Sequence, residues 1–426
     1  MPKLKRALGL LDLTAYGVGI ILGAGIYALI GKAAGLAGPS VWISFLIGAL
    51  LAITTALSYV ELGTMFPKAA AEYVYAKNAF KNKLLCFLIG FFPIAVGIIA
   101  GSTVALGFGG YLQSLTGIPL AIGALGLIAA CGVINFWGIK QSARINIIFT
   151  LIELSGLILI ILFALYLFLM HQISPINLLE APNGITGILN AAALIFFAYI
   201  GFEDIVNMAE ETKNPKKILP KAFLLSILIT SLIYIMVSIA SVSILPWEIL
   251  GQSDAPLADV AEIAVPGSSY LLSIIALFAT ANTVLIILIV ETRMIWGMAK
   301  AGSLPKVLSV VHKKRKTPWL AILVTTLIAM LFSATTVITT IAQAVDVIVF
   351  IIFISVNASL IVLRYKKPKL KRPFKVPLNI GKFPLIPAIS IIICLSLMLH
   401  LDIIVFLYLG IIVAAGILTY FLKSKL

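Results

Sequence analysis

Long apolar runs recur from one end of the chain to the other, separated by short polar segments that carry most of the charge. Each run exceeds about 18 residues, enough for a helix rising about 1.5 Å per residue to cross a hydrocarbon core of about 30 Å. The pattern predicts twelve membrane helices, over residues 11–35, 40–65, 84–113, 118–137, 143–169, 187–209, 218–245, 267–299, 318–335, 337–363, 382–399 and 401–422. The division between the last two rests on His400 and Asp402 alone. Barrel strands would alternate apolar and polar positions over segments of about ten residues. The unbroken run Leu151–Leu169 excludes that architecture. Met1-Pro2-Lys3-Leu4-Lys5-Arg6 followed by apolar residues mimics a signal peptide, but the apolar stretch continues past Ile30 and reads as a retained first span.

Composition sharpens this picture. Of 426 residues, 62% are hydrophobic and 11% charged, whereas a soluble domain needs roughly 25% charged residues. The net charge of +15 would suit a nucleic-acid partner, but its distribution has a topological cause. With the N-terminus in the cytoplasm, the loops 68–83, 140–144, 213–221, 300–316 and 364–382 all fall on that side, with both tails. Every one of the 31 lysines and arginines except Lys32 then falls on that side, with Arg293 near the inner end of the eighth span, as the positive-inside rule requires of an even number of spans. The outer loop 246–266 carries Glu248, Asp254, Asp259 and Glu262 and no base. The chain is expected to be a multi-pass protein of the plasma or inner membrane, a single membrane domain with the bilayer as partner and no nucleic acid. The runs His312–Lys316 and Arg364–Lys375 read as anchors near anionic lipid. Cys86, Cys131 and Cys394 lie singly within apolar runs, and no two of His171, His312 and His400 share a helical face. Neither set has metal-ligand spacing, so no metal or cofactor is expected.

Two spans carry unusual backbone chemistry. The first contains Gly17-Val18-Gly19 and then Gly23-Ala24-Gly25, where glycines lower helix propensity and allow unwinding. The sixth contains Phe197-Ala198-Tyr199-Ile200-Gly201-Phe202 followed by Glu203 and Asp204. The features lie five spans apart, the interval expected of an inverted repeat in which spans 1–5 (11–169) match spans 6–10 (187–363), with 382–422 added. In such folds a half-helix N-terminus presents N–H donors to an anionic group, while freed carbonyls accept from an ammonium. Glycine also serves close helix packing, and for Gly17 and Gly19 both readings stand. Phe197, Tyr199 and Phe202 can line or gate a site, or face lipid and neighbouring helices.

At these residues the chain resembles the amino acid–polyamine–organocation superfamily. Gly23-Ala24-Gly25-Ile26 is similar to its first-helix motif. Tyr59-Val60-Glu61-Leu62-Gly63, Phe66-Pro67-Lys68 and Glu72-Tyr73-Val74-Tyr75 resemble the stretch after its second helix, with Ala69-Ala70-Ala71 where Gly-Gly is usual. The sixth-helix residues 197–202, then Glu210-Glu211, Asn214-Pro215 and Pro220, and Arg293 with Ala299, Gly302, Leu304 and Pro305, continue the likeness along nearly the whole chain. The resemblance implies an all-α, leucine-transporter-like 5+5 inverted repeat with discontinuous helices 1 and 6, plus two C-terminal helices. It implies amino acid transport by alternating access, without enzymatic chemistry. It places the substrate against Ile21, Gly23, Ala24 and Gly25 on one side and Phe197, Ala198, Tyr199, Ile200, Gly201 and Phe202 on the other. Ala24 and Gly25 would donate N–H groups to the carboxylate, and Phe197, Ala198 and Ile200 would offer carbonyls to the amine.

Glu153 stands about ten residues into the fifth span, where an acid costs on the order of 3 kcal/mol unless it faces protein or water. Some members of the superfamily place a lysine near here, so the inverted charge bars transfer of that mechanism. Glu153 is a candidate coupling residue for a proton, with a sodium ligand or a structural hydrogen bond to helix one or eight as alternatives. Of Glu203 and Asp204, one is expected to cap the inner half-helix. Asn282 and Thr283 suit packing hydrogen bonds better than a sodium site. Asp346, Glu291 and Arg293 are candidate gate or anchor residues, most simply paired with opposite charges. The neutral pocket motifs favour neutral or apolar amino acids, and Glu153 points to proton-coupled uptake. Exchange of amino acids or polyamines, sodium coupling, and more remotely a channel or an intramembrane enzyme, are the alternatives.

Overall fold

The apolar runs become helices almost everywhere in the computed structural model, which describes residues 6–173, 175–253, 255–333, 341–401 and 403–423. Lys3, Lys5, Asp254, Asp402 and the boundary expected between residues 335 and 337 lie outside these. The first half comprises α1 (Leu10–Ala37), α2 (Val41–Met65), α3 (Ala71–Ala79), α4 (Lys83–Thr116), α5 (Leu120–Trp137) and α6 (Ile139–Leu169). Then come α7 (Gly184–Ile195), the 3₁₀ turns Phe196–Tyr199 and Phe202–Met208, α8 (Pro215–Ile244), α9 (Trp247–Gln252), α10 (Pro256–Ala264) and α11 (Ser269–Lys300). The chain closes with α12 (Trp319–Ser333), α13 (Ile341–Lys366), α14 (Leu385–Met398) and α15 (Ile404–Lys423). Ten helical stretches among the described residues are long and apolar enough to cross a membrane, and α12 and α14 are shorter apolar helices.

Local chemistry sets the ends. The Asn82 side chain accepts from Leu85 N at 3.1 Å to start α4, and Gly117, at φ 76°, stops it, the positive φ that glycine adopts without strain. Pro215 and Pro256 open α8 and α10, where a missing N–H costs nothing. Three segments expected as loops carry structure: α3 after the second span, α9 and α10 in the outer loop, and a two-stranded turn pairing Ile380 with Phe383. These short helices lack the long apolar runs on which the span assignment rests. Leucines and isoleucines of α6 such as Leu151, Leu162 and Leu165 are exposed, the outer face that a bilayer covers.

Two clusters of buried charge are paired acid to base. Glu61 of α2 accepts from Arg364 of α13 at 2.8 and 2.5 Å and from Val376 N at 2.7 Å, with Arg372 Nε at 3.1 Å. One carboxylate thus clamps the loop after α13 onto α2. Arg293 of α11 makes the second cluster, donating to Glu211 at 3.0 and 3.3 Å and to Asn135 of α5 at 2.5 Å. Beside it Ala7 N and Leu8 N donate to Glu211 O, and Lys213 N to Leu8 O, so the segment before α1 is held against the turn after the sixth span.

Candidate functional site

The first span breaks at a single residue. Within α1 only Gly23 leaves helical geometry, so the chain kinks there instead of unwinding over Gly23-Ala24-Gly25. The consequence is local. Ala24 N donates to Thr283 Oγ1 of α11 at 3.3 Å. A Cβ on Gly23 would fall 2.5 Å from that same hydroxyl oxygen, which leaves no room for a side chain. Gly25 lies against the sixth span, where a Cβ would come within 2.8 Å of Ala198 Cα.

The sixth span breaks over a longer stretch. Helix α7 stops at Ile195, a 3₁₀ turn follows, Ile200 is extended and Gly201 takes φ 115°. That positive φ belongs to glycine, and a Cβ there would also meet Ile20 Cγ1 at 2.7 Å. The inner half resumes as a 3₁₀ turn at Phe202. Glu203 Oε2 accepts from Gly201 N at 3.0 Å and so takes the capping role expected of one of the two acids.

Between the breaks lies a cavity lined by Ile21, Gly23, Ala24, Gly25, Phe197, Ala198, Ile200 and Gly201. Eight of the ten predicted substrate-site residues meet there. About 80 Å³ is open to water-sized molecules, against roughly 10–15 Å³ for one water on that measure, so a small solute has room. Tyr199 and Phe202 do not line it. The Tyr199 hydroxyl donates to Phe45 O of α2 at 2.9 Å, and Phe202 packs edge-on against Tyr59. Aromatic area on the far side of a tight turn is buried among neighbouring helices, and these two side chains belong to that packing.

Glu153 also stands apart from the cavity. It is fully buried, and its carboxyl oxygens close no hydrogen bond among the described residues, although the Asn282 amide approaches them. The Tyr27 hydroxyl donates to its main-chain carbonyl at 2.9 Å. Toward the helix start, about two turns away, Asn146 donates to Asn282 Oδ1 at 2.9 Å, and Asn282 donates to Thr150 Oγ1, one turn away, at 3.1 Å. A Cβ on Gly19 would fall 2.8 Å from the amide nitrogens of both asparagines. One on Gly17 would fall 2.6 Å from Ile205 Cδ1. Both glycines therefore serve close packing of α1.

Two features of the site escaped the sequence. The first is Tyr234 of α8, whose hydroxyl lies between the carbonyls of Ile21 and Ala198, 2.9 Å from the latter. It bridges the two broken spans with one proton. A lone tyrosine in an apolar run carries no signal of this. The second is the acidity of the cavity's other end, lined by Glu72, Glu203, Asp204 and Glu291. Both Glu203 and Asp204 line it, although adjacent helical positions diverge by about 100°. Glu291 pairs with no base among the described residues, contrary to expectation, and its Oε2 has no hydrogen-bond partner. It fills the space left by Gly97, where a Cβ would fall 2.9 Å from Glu291 Cγ. Asp346 is likewise buried and unpaired. Arg293 does pair, as described, and acts as an anchor. Glu72, on the loop helix α3, is pushed up to about 7 by burial, against partial relief from its own backbone and from Tyr59 and Asn207.

Comparison with known proteins agrees with this geometry. A family model described as amino acid permease matches residues 8–424. The chain is 33% identical to a branched-chain amino acid permease of Bacillus subtilis (strain 168), over 99% of this chain and 94% of that one. It is 31% identical to a methylthioribose transporter of the same organism, with the same coverage. It is also 31% identical to a chloroplastic cationic amino acid transporter of Arabidopsis thaliana, over 73% of this chain and 58% of the relative. With a family match across almost its whole length, spans broken at Gly23 and Gly201 and a cavity between them, the chain belongs to the amino acid permease family of the amino acid–polyamine–organocation superfamily.

Proposed function

We propose that this protein carries an amino acid across the cytoplasmic membrane by alternating access. In this reading α12 and α14 cross the bilayer with the ten longer stretches, making twelve spans with both termini in the cytoplasm. Residues 11–169 and 187–363 form two inverted five-helix repeats, and 382–422 adds two helices. The substrate's carboxylate lies against the main chain at Gly23, Ala24 and Gly25, and its amine against the carbonyls of the 197–201 break. The observation that carries the reading is that two interrupted spans face each other across a cavity. Open main-chain groups at membrane depth are tolerable only where they line such a space. Ala24 N, held by Thr283 Oγ1, is the donor a carboxylate would capture.

Glu153 serves in this reading as the proton carrier. It sits one helix away from the cavity, its main chain tied to α1 through Tyr27, so movement of α1 between open states would change its surroundings. Uptake is then of neutral amino acids driven by a proton gradient. A second reading has specific support: four carboxylates line the inner end of the cavity, and none forms an ion pair among the described residues. A positively charged substrate side chain would find its partner there, favouring basic amino acids.

Purified protein in proteoliposomes tests both. Saturable uptake of a radiolabelled amino acid, accelerated by unlabelled substrate on the far side, is expected of a carrier and excludes a channel. Leucine and lysine in parallel decide the substrate class. Gly25→Val, which drives a side chain into Ala198, should abolish uptake while the protein still inserts and purifies. Undiminished uptake in that variant would overturn the placement of the site.

A further inference from the structure

The connection between α5 and α6 and the loop leading into α12 form a second pocket, on the surface that the proposed topology places in the cytoplasm. It is lined by Trp137, Gly138, Ile139, Lys140, Gln141, Lys314, Arg315 and Lys316, with about 480 Å³ open to water-sized molecules. We infer that this pocket holds the phosphate of an anionic lipid headgroup.

The first argument is charge. Four cations converge from two turns that are far apart in sequence. None of the four pairs with an acid among the described residues, where the ion pairs involve Arg293, Lys300, Arg364 and Arg372. Like charges brought together without a counter-ion repel, and an anion relieves that cost.

The second argument is that the pocket is held in shape before anything binds. His312 N donates to Thr317 O at 2.8 Å and Lys316 N to His312 O at 2.9 Å, closing the basic turn on itself. The Thr317 hydroxyl donates to Phe136 O at 3.2 Å, and the His312 ring packs edge-on against Phe136 at 5.3 Å. Both contacts fasten this turn to the end of α5. Gly138, at φ 131°, reverses the chain between α5 and α6 so that Lys140 and Gln141 face the turn. The backbone of the two turns therefore needs little ordering on binding.

The third argument distinguishes a lipid from a soluble phosphate. Trp137 at the pocket's rim is half exposed, and Val133, one turn earlier on the same face of α5, is also exposed. Gly126 and Ala130 continue that exposed face. A stripe of small and apolar residues thus runs from the cationic pocket up the lipid-facing side of the helix, with an interfacial tryptophan where headgroup meets chain. A free anion has no use for that stripe, whereas an acyl chain does.

The test uses the full chain purified in detergent, with a fluorescent phosphatidylglycerol as probe and phosphatidylcholine and inorganic phosphate as competitors. Phosphatidylglycerol is expected to bind about tenfold more tightly than phosphatidylcholine, and millimolar inorganic phosphate to displace little of it. Lys140→Gln/Lys314→Gln/Arg315→Gln should weaken binding at least about tenfold. Lys369→Gln/Lys371→Gln/Lys375→Gln, which removes the same charge from another basic loop, should leave it within about twofold. All three pocket side chains are exposed. Should the triple variant fail to fold, Lys140→Gln and Arg315→Gln singly, one on each turn, carry the same comparison at about fivefold each. Equal loss in both triple variants would show diffuse attraction and overturn the proposal. So would no loss in either, or full competition by inorganic phosphate.

Discussion

Buried charge in this protein comes in two kinds. Glu61 with Arg364 and Arg372, and Glu211 with Arg293, are matched acid to base at hydrogen-bonding distance. Glu153, Glu291 and Asp346 are as deeply buried, yet at least one oxygen of each lacks a hydrogen-bond partner and none is bridged to a base among the described residues. The difference teaches where structure ends and transport begins. Removing one partner of a buried pair leaves the other charge stranded. An unpaired acid in the same membrane contributes little to packing, and its retention has to be explained by something that arrives and leaves.

The comparison is broken most forcefully at Glu61. Glu61→Ala strands two arginines and should cost about 3–5 kcal/mol, read as a large drop in thermal stability in detergent. Arg293→Gln, which strands the single carboxylate of Glu211, should cost somewhat less, about 3 kcal/mol. Glu153→Gln should change stability by no more than about 1 kcal/mol. Proteoliposomes with this variant should lose accumulation against a pH gradient while keeping exchange of substrate. A stability loss as large as that of Glu61→Ala would move Glu153 to the structural side.

The effect at Glu72 is a slope against pH, and its sign can be worked out. Its carboxyl, pushed up from 4.5 to about 7 by burial, keeps its proton in the folded state after the unfolded chain has released it. Stability should therefore fall as pH rises from about 4.5 to 7 and level off above that. Glu72→Gln should flatten this part of a thermal-stability profile. Glu203, Asp204 and Glu291 line the same cavity end and would leave a residual slope. A profile with unchanged steepness would mean that those three, not Glu72, carry the proton uptake.

Much of the architecture was legible beforehand because membrane crossing is a one-dimensional requirement. A run such as Leu151–Leu169 must become a helix whatever its neighbours, since nothing else satisfies its backbone in lipid. Gly201 among aromatics marked the break in the sixth span for the same reason. Gly23 marked the kink in the first, which is narrower than the Gly23-Ala24-Gly25 pattern suggests: Thr283 accepts from Ala24 N beside it. Contacts between spans were a different matter. Tyr199 and Phe202 flank residues that line the cavity, and only the course of the turn sends them into the core. The Glu61–Arg364 pair joins positions 303 residues apart, and no local pattern announces it.

What the sequence by itself determined, then, is the material and its segmentation: helical spans, their charged ends, the glycines where two of them break, and membership in a transporter family. The tertiary structure alone decided which acids meet a base and which face an empty space. Helical periodicity says how residues are arranged around one axis, and nothing about the rotation and depth at which two axes come together. Pairing depends on that relative placement to within an ångström or so, because a hydrogen bond does.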